Sequence, residues 1–372
     1  MMVGKLASTE VANRLNEWYD TIKRHEIEEA TRLKSEVQQA IEEMEEDQNV
    51  LLYYNLIDSR YKQLIEQFDE SKNILESVKE QTEHTETDQL LKYYYYFFCG
   101  LYEFYKRNYI KSIHSYRQAE KFLDDIPDEI EHAEFHLQLA YAYYGITQNY
   151  FSLSHAEKAL DIYKQHDNYV SRQLSAKISI AANRFSLNQH ECTILLYKEV
   201  VNTASKNNNT FLEIIGHFNL GVCYEYLDEL ELAKNSFETA LDIDYPKDIK
   251  KDTYLAIKYM LARVLFRMDL IEEGREWLNQ SKKLAEEINE QTYQTKISIL
   301  QTIYLEPNEA SLDNELGKLK KKKLWHDVSD LSAIAGRHFK KKEMFKMATK
   351  YLIEALKAKE NLPSLQEEAE RI

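Results

Sequence analysis

The sequence predicts an all-α protein: an N-terminal three-helix bundle, a short linker helix and a long array of paired helices. Three observations predict it. Only 8 Gly and 4 Pro interrupt 372 residues, so long helices run with few breaks. Strand-forming residues are concentrated nowhere, while Glu, Lys, Leu and Ala are common. A pattern of small and aromatic residues returns every 40 or 41 positions, the mark of a repeat architecture.

Composition also bounds function. The formal net charge is −15, which argues against a nucleic-acid partner, because phosphate neutralisation needs a basic face. The one basic run, Lys318 with Lys320 to Lys323, reads as a solvated helix surface. No apolar stretch reaches 18 residues, so neither a transmembrane helix nor a membrane partner is expected. The opening MMVGKLASTE lacks the apolar core of a signal peptide, and a cytoplasmic location is expected. Cys99, Cys192 and Cys223 are far apart in apolar helical contexts and read as buried free thiols.

Residues 1–70 predict the bundle and lie outside the repeat phase. Helix one starts near Thr9 as N-cap and carries Leu15, Trp18, Tyr19 and Ile22 at helical spacing. Helix two runs from about Ile27 to Met44, with Ala30, Leu33, Val37 and Ile41 on one face. Helix three begins at Asp47, a good N-cap, and carries Leu51, Tyr54, Ile57 and Tyr61. Residues 71–88 form a polar linker helix, and the repeats fill 89–372.

Within the repeats, Gly221, Tyr224, Ala233, Phe237 and Ala240 fit the tetratricopeptide signature at positions 8, 11, 20, 24 and 27. Small residues at 8 and 20 let the two helices of a unit approach closely, and larger ones at 11 and 24 fill the space beside that contact. Position 8 recurs at Gly100, Ala140, Ala181, Gly221 and Ala262, and again at Gly336. The last gap leaves room for a degenerate unit around 296–325, for about seven units in all. The aromatic run Tyr93 to Tyr96 with Phe97 and Phe98 covers all sides of a helix, so part of it must pack against the preceding bundle.

Such an array presents a concave face lined by the first helices of its units. Asn219 falls at position 6 on that face, where its amide offers both donor and acceptor to an extended peptide. Asn183, at position 10, is a second candidate. No phosphate loop, zinc signature or nucleophile elbow occurs. The acidic run Glu42, Glu43, Glu45, Glu46 and Asp47 reads as a solvated helix end.

Three segments then narrow the field: MEEDQNVLLYYNL (44–56), YYYYFFCGLYEFYKRNYIKSIHSYRQAE (93–120) and NLGVCY (219–224). With the bundle-plus-repeat layout, they resemble the Rap proteins of Bacillus and their phage or mobile-element relatives, over essentially the whole chain. The resemblance implies a bundle that meets a response regulator and a repeat domain that binds a short Phr-like signalling peptide. Many family members dephosphorylate a response regulator of the sporulation phosphorelay. Others, without chemistry, sequester a regulator's DNA-binding domain, as in competence. The resemblance makes Gln48 the catalytic amide, orienting water toward an aspartyl phosphate whose Mg belongs to the partner. No cofactor of the chain's own is expected. Leu51, one turn on, and the neighbouring Asp47 and Glu46 become partner contacts.

Two positions depart from the family pattern. Ser186 stands where members often carry an Asp that pairs with a basic peptide residue. Ser59 replaces a bulky residue on the target-facing helix. Two remoter alternatives are a peptide-responsive transcription factor and a plain scaffold. The acidic bundle shows no basic recognition helix for the former.

Overall fold

The computed structural model describes residues 5–24, 26–83, 88–244 and 251–361. The first four residues, residues 84–87 of the expected linker and the last eleven of the expected repeat domain lie outside the described residues. The described residues form eighteen α-helices. Their only strand-like pairing is one isolated parallel bridge, Leu6 to Met44.

The bundle comprises α1 (Ser8–Lys23), α2 (Ile27–Glu43) and α3 (Gln48–Leu64), followed by α4 (Phe68–Glu83). Helix α1 starts one residue before the expected cap. Ala7 is its N-cap, and no side chain of that residue closes the turn. Asp47 does cap α3, accepting the backbone N–H of Asn49 at 3.0 Å and of Val50 at 3.2 Å. Val11, Leu15, Trp18 and Ile22 are buried on the inner stripe of α1. The Trp18 indole donates to the Ala30 carbonyl of α2 at 2.8 Å.

Seven helix pairs follow. They are α5 and α6 (Gln89–Tyr105, Tyr109–Glu120), α7 and α8 (Glu129–Gly145, Asn149–Tyr163), α9 and α10 (Val170–Ser186, His190–Lys206), α11 and α12 (Thr210–Tyr226, Leu230–Asp242), α13 and α14 (Lys251–Arg267, Ile271–Glu287), α15 and α16 (Gln291–Tyr304, Glu309–Lys321), and α17 and α18 (Trp325–Lys341, Phe345–Glu360). The degenerate sixth pair deviates at its turn, which contains Pro307 and ends at Asn308, the N-cap of α16. The chain divides into two compact units, Met1–Ser179 and Ile180–Ile372.

The six regular pairs share one turn. In each, a non-Gly residue takes positive φ: Arg107, Thr147, Asn188, Asp228, Asp269 and Glu343, at 60 to 65°. The two N–H groups at the turn reach back to the last turn of the first helix. Asp228 N donates to Glu225 O at 3.2 Å, and Glu229 N to Tyr224 O at 2.9 Å. Position 20 supplies a further tie where it carries a hydroxyl. Ser112 donates to Gly100 O at 2.8 Å, Ser152 to Ala140 O at 2.7 Å and Thr193 to Ala181 O at 3.4 Å.

The same turn joins α3 to α4. Glu66 has φ 65°, Glu66 N donates to Gln63 O at 3.1 Å and Gln67 N to Lys62 O at 2.8 Å. Ser59 and Ser71 then occupy positions 8 and 20, both fully buried, with hydroxyls 3.2 Å apart. This corrects the expectation that the first 70 residues lie outside the repeat phase: Ser59 precedes Gly100 by the same 41 residues. It also changes the meaning of Ser59. Its hydroxyl is spent on the α3–α4 contact, and a bulky residue there would have to push α4 away.

At two position-8 glycines, Gly100 and Gly221, the position-24 residue is a large ring, Tyr116 and Phe237. A Cβ on Gly221 would stand 2.5 Å from the ring of Phe237, which is itself fully buried and cannot yield. Gly221→Ala is therefore expected to lower stability by about 1–3 kcal/mol despite alanine's better helix propensity. Gly317, in α16, would meet nothing within 4 Å, so Gly317→Ala should stabilise by about 0.5–1 kcal/mol. Chemical denaturation of both variants checks the pair; two shifts of the same sign would contradict the close-approach account.

The cysteines are only partly as expected. Cys223 is buried, and burial pushes its thiol up to about 12, but Cys99 is half-buried and Cys192 is exposed. The run Lys318 to Lys323 is mainly solvated, with Lys318 paired to Glu315 and Lys320 to Glu354, both at 2.6 Å. Among the described residues no helix is long and apolar enough to cross a membrane.

Candidate functional site

Gln48 is the first residue of α3, and its side chain is exposed. Its amide nitrogen donates weakly to Glu46 Oε1 at 3.4 Å. Leu51 and Asn55, three and seven residues on, are half-buried and share its face. Glu46 is exposed, whereas Asp47 is half-buried and its carboxylate is committed to capping. Asp47 therefore acts on the site chiefly by fixing the first turn of α3, which aims Gln48 outward. Glu42, Glu43 and Glu45 are exposed around it, so an uncharged amide sits in an acidic surround. Deeper in the bundle, Lys34 pairs with Asp58 at 2.5 Å, and Tyr53 donates to Asn16 at 2.8 Å. The amide is thus mounted on a rigid support.

The aromatic run joins this bundle to the first repeat pairs. Tyr19 meets Tyr94 edge-on at 5.3 Å and Phe98 at 5.8 Å, and Tyr53 lies 5.6 Å from Tyr94. Beneath them lies a buried polar cluster that sequence reasoning missed. The hydroxyls of Tyr19 and Tyr93 both donate to Glu131 Oε1 at 3.1 Å. Lys23 Nζ lies 2.8 Å from Asp128, 3.0 Å from Asp20 and 3.9 Å from Glu131. Glu131 is fully buried, and burial pushes its carboxyl up to about 7 against the pull of Lys23. Burial alone would depress Lys23, but Glu131 and Asp128 outweigh it and hold the ammonium firmly charged. A signal was present in the sequence: Glu131, Glu134 and Gln138 recur at helical spacing among the apolar residues of α7.

In the second unit, Asn219 is half-buried and spends one amide N–H on Ile215 O, at 2.8 Å. Its amide chemistry leaves a second N–H and the oxygen for a ligand. Ser186 is exposed at the end of α9 and donates to Ala182 O at 3.1 Å. Asn183 differs from expectation. It is 0 % exposed, because position 10 of α9 faces into the packing, so it presents no atom to a peptide in this structure. A second buried network starts from Glu225, near the end of α11. Arg263 grips Glu225 with two nitrogens, Nε at 2.8 Å, and reaches Asp330 at 2.5 Å. Arg267 adds contacts to Glu225 at 3.0 Å and Asp228 at 2.6 Å. Among the described residues no group of three or more His, Cys, Asp or Glu side chains could hold a metal ion.

A helical bundle presenting an amide, continuous with tetratricopeptide-like pairs, defines a helical-repeat protein with an N-terminal bundle. Comparisons place it further. The family model described as response regulator aspartate phosphatase H, N terminal, matches residues 5–66, the segment carrying Gln48. Regulatory protein RapG of Bacillus subtilis (strain 168) is 34 % identical over 363 residues, 96 % of this chain and 98 % of that protein. Response regulator aspartate phosphatase I of the same organism is 27 % identical, covering 95 % of this chain and 91 % of its own. A crystal structure of a Rap protein complexed with competence and sporulation factor superposes with a TM-score of 0.83 at 28 % identity, over 96 % of this chain and 99 % of that one. The chain belongs to the Rap family.

Proposed function

We propose that this protein is a peptide-regulated phosphatase acting in the cytoplasm on the aspartyl phosphate of a response regulator. The observation that carries the reading is the exposed amide of Gln48 at the capped start of α3. An acyl phosphate is already activated, and the response regulator holds the Mg. What remains is to place a water in line. The Gln48 amide oxygen accepts a hydrogen bond from that water and orients it toward phosphorus. The new P–O bond forms as the bond to the aspartate oxygen breaks, releasing inorganic phosphate and a free carboxylate. Leu51 gives an apolar contact one turn on, and Glu46 flanks it. Residues 1–70 thus meet the regulator, and the repeats of 89–372 take a Phr-like peptide through Asn219 and Ser186. A Ser at that place suits a peptide lacking a basic side chain there, and Asn183 supports the packing.

The test is the decay of a phosphorylated sporulation-type response regulator with wild-type protein and with Gln48→Ala. Wild type should accelerate decay, and the variant should lose about 100-fold or more of that acceleration.

A second reading is favoured by the exposed carboxylates of Glu42, Glu43, Glu45 and Glu46. Such a surface suits the basic DNA-binding domain of a response regulator, held without chemistry. If neither protein accelerates decay, this reading takes over. Binding should then weaken with salt and ignore Gln48→Ala.

A further inference from the structure

Gln48 is presented by a four-residue connection, Met44 to Asp47, between α2 and α3. A short acidic loop with exposed side chains would by itself be loose. Here it is strapped by the segment that enters α1. Leu6 N donates to Glu43 O at 2.9 Å, and Glu45 N donates to Leu6 O at 3.0 Å, closing the parallel bridge between Leu6 and Met44. The Glu45 carboxylate then accepts the backbone N–H of Ser8 at 3.1 Å. Ala7 provides no side-chain cap, so Glu45, 37 residues along the chain, supplies α1's missing one. One carboxylate thus ties the start of α1 to the loop, and two residues later Asp47 caps α3.

We infer that Glu45 is a positioning residue: with Leu6 and Ser8 it forms a strap that fixes the direction in which Gln48 leaves the bundle. The inference rests on the phosphatase reading for its effect on rate, but not for the strap itself. In-line water placement tolerates little displacement, and a shift near 1 Å is worth one to two orders of magnitude in rate. Met44 is buried, but the strap's other side chains, Leu6, Ser8 and Glu45, lie at or near the surface, so changes at Ser8 and Glu45 act on placement and leave the packed core intact.

The backbone offers a clean test. Ser8 is the first helical residue, where proline is favoured, and Ala7 before it lies at φ −67°, ψ 137°, the region a pre-proline residue adopts. Ser8→Pro therefore deletes the donor without disturbing α1. Glu45→Ala deletes the acceptor, and Glu45→Gln keeps an acceptor oxygen while removing charge. Each full-length variant is compared with wild type and Gln48→Ala in three measurements. These are amide exchange over residues 44–51, single-turnover decay of the phosphorylated regulator, and affinity for that regulator.

Ser8→Pro and Glu45→Ala should exchange faster over 44–51 and turn over about tenfold more slowly, with affinity within about twofold of wild type. Glu45→Gln should stay near wild type in all three. Unchanged exchange in Ser8→Pro and Glu45→Ala overturns the strap, whatever the enzyme does. Faster exchange with undiminished turnover, where Gln48→Ala is inactive, overturns the positioning role. Loss in both Glu45 variants with Ser8→Pro silent makes Glu45 a direct charge contact with the partner and also overturns it. If Gln48→Ala equals wild type, the phosphatase reading fails separately, and exchange alone decides the strap.

Discussion

Glu225→Leu should destabilise the second unit by about 3–5 kcal/mol, the cost of leaving buried charge without its partner. Glu225 is 2 % exposed and is the shared acceptor of Arg263 and Arg267, whose side chains are only 11 % and 16 % exposed. Asp330 and Asp228 still face the two arginines, but each is substantially exposed and sits at the edge of the network. The removed carboxylate is the only fully desolvated one. Urea denaturation followed by far-UV circular dichroism measures the loss. The double variant Glu225→Leu with Arg263→Met should regain part of it, since one orphaned guanidinium goes as well. A midpoint unmoved by Glu225→Leu would mean that the network carries no net stability.

The second large effect is a change in pH dependence at Lys23 and Glu131. Glu131 titrates at about 7 in the folded protein, above the ordinary 4.5. The fold therefore favours the protonated acid. Its contribution to stability is complete below about 4.5 and is lost as pH rises through about 7. Asp128 runs the other way: burial opposes ionisation, but Lys23 overrides it and holds that carboxyl below its ordinary 3.8. Its contribution is lost only in stronger acid, so the two windows do not overlap. Lys23→Met removes the ammonium that counters the burial of Glu131 and should cost about 2–4 kcal/mol at pH 8. The cost should shrink toward pH 5.5, where Glu131 is neutral. Glu131→Gln leaves Lys23 with Asp20 and Asp128, and should melt higher than wild type at pH 8 but not at pH 5. Parallel melting curves for Glu131→Gln and wild type across that range would refute the assignment.

Much of this was legible in advance. The spacing from Gly100 to Ala262 located five helix pairs, because close helix approach demands small residues at fixed places. Asp47 was readable as a cap from residue type and context. The α3–α4 pair does not read as a repeat from sequence. Its positions 8 and 20 are serines, and Leu75 stands where Tyr116 and Phe237 stand in other pairs. Small hydroxyls serve the same contact but lack the aromatic signature. The burial of Asn183 is not legible because spacing assigns a position but not a burial: one turn of α9 separates exposed Ser186 from a side chain with no exposure. The strap at Leu6 and the cluster at Glu131 escaped because each depends on partners 37 and more than 100 residues away. No local pattern encodes such partners.

The bridge from Arg263 to Asp330 also bears on how this chain can change over time. It joins the fifth and seventh pairs across the sixth. Arrays whose modules touch only their neighbours can gain or lose a module and keep their joints. Here, excising α15 and α16 or inserting another pair beside them would separate Arg263 from Asp330 and leave it Glu225 alone. Gene-level duplication and deletion of modules should therefore cost more between residues 263 and 330 than in a stretch bridged only by neighbours. The least regular pair of the array thus becomes a costly one to discard.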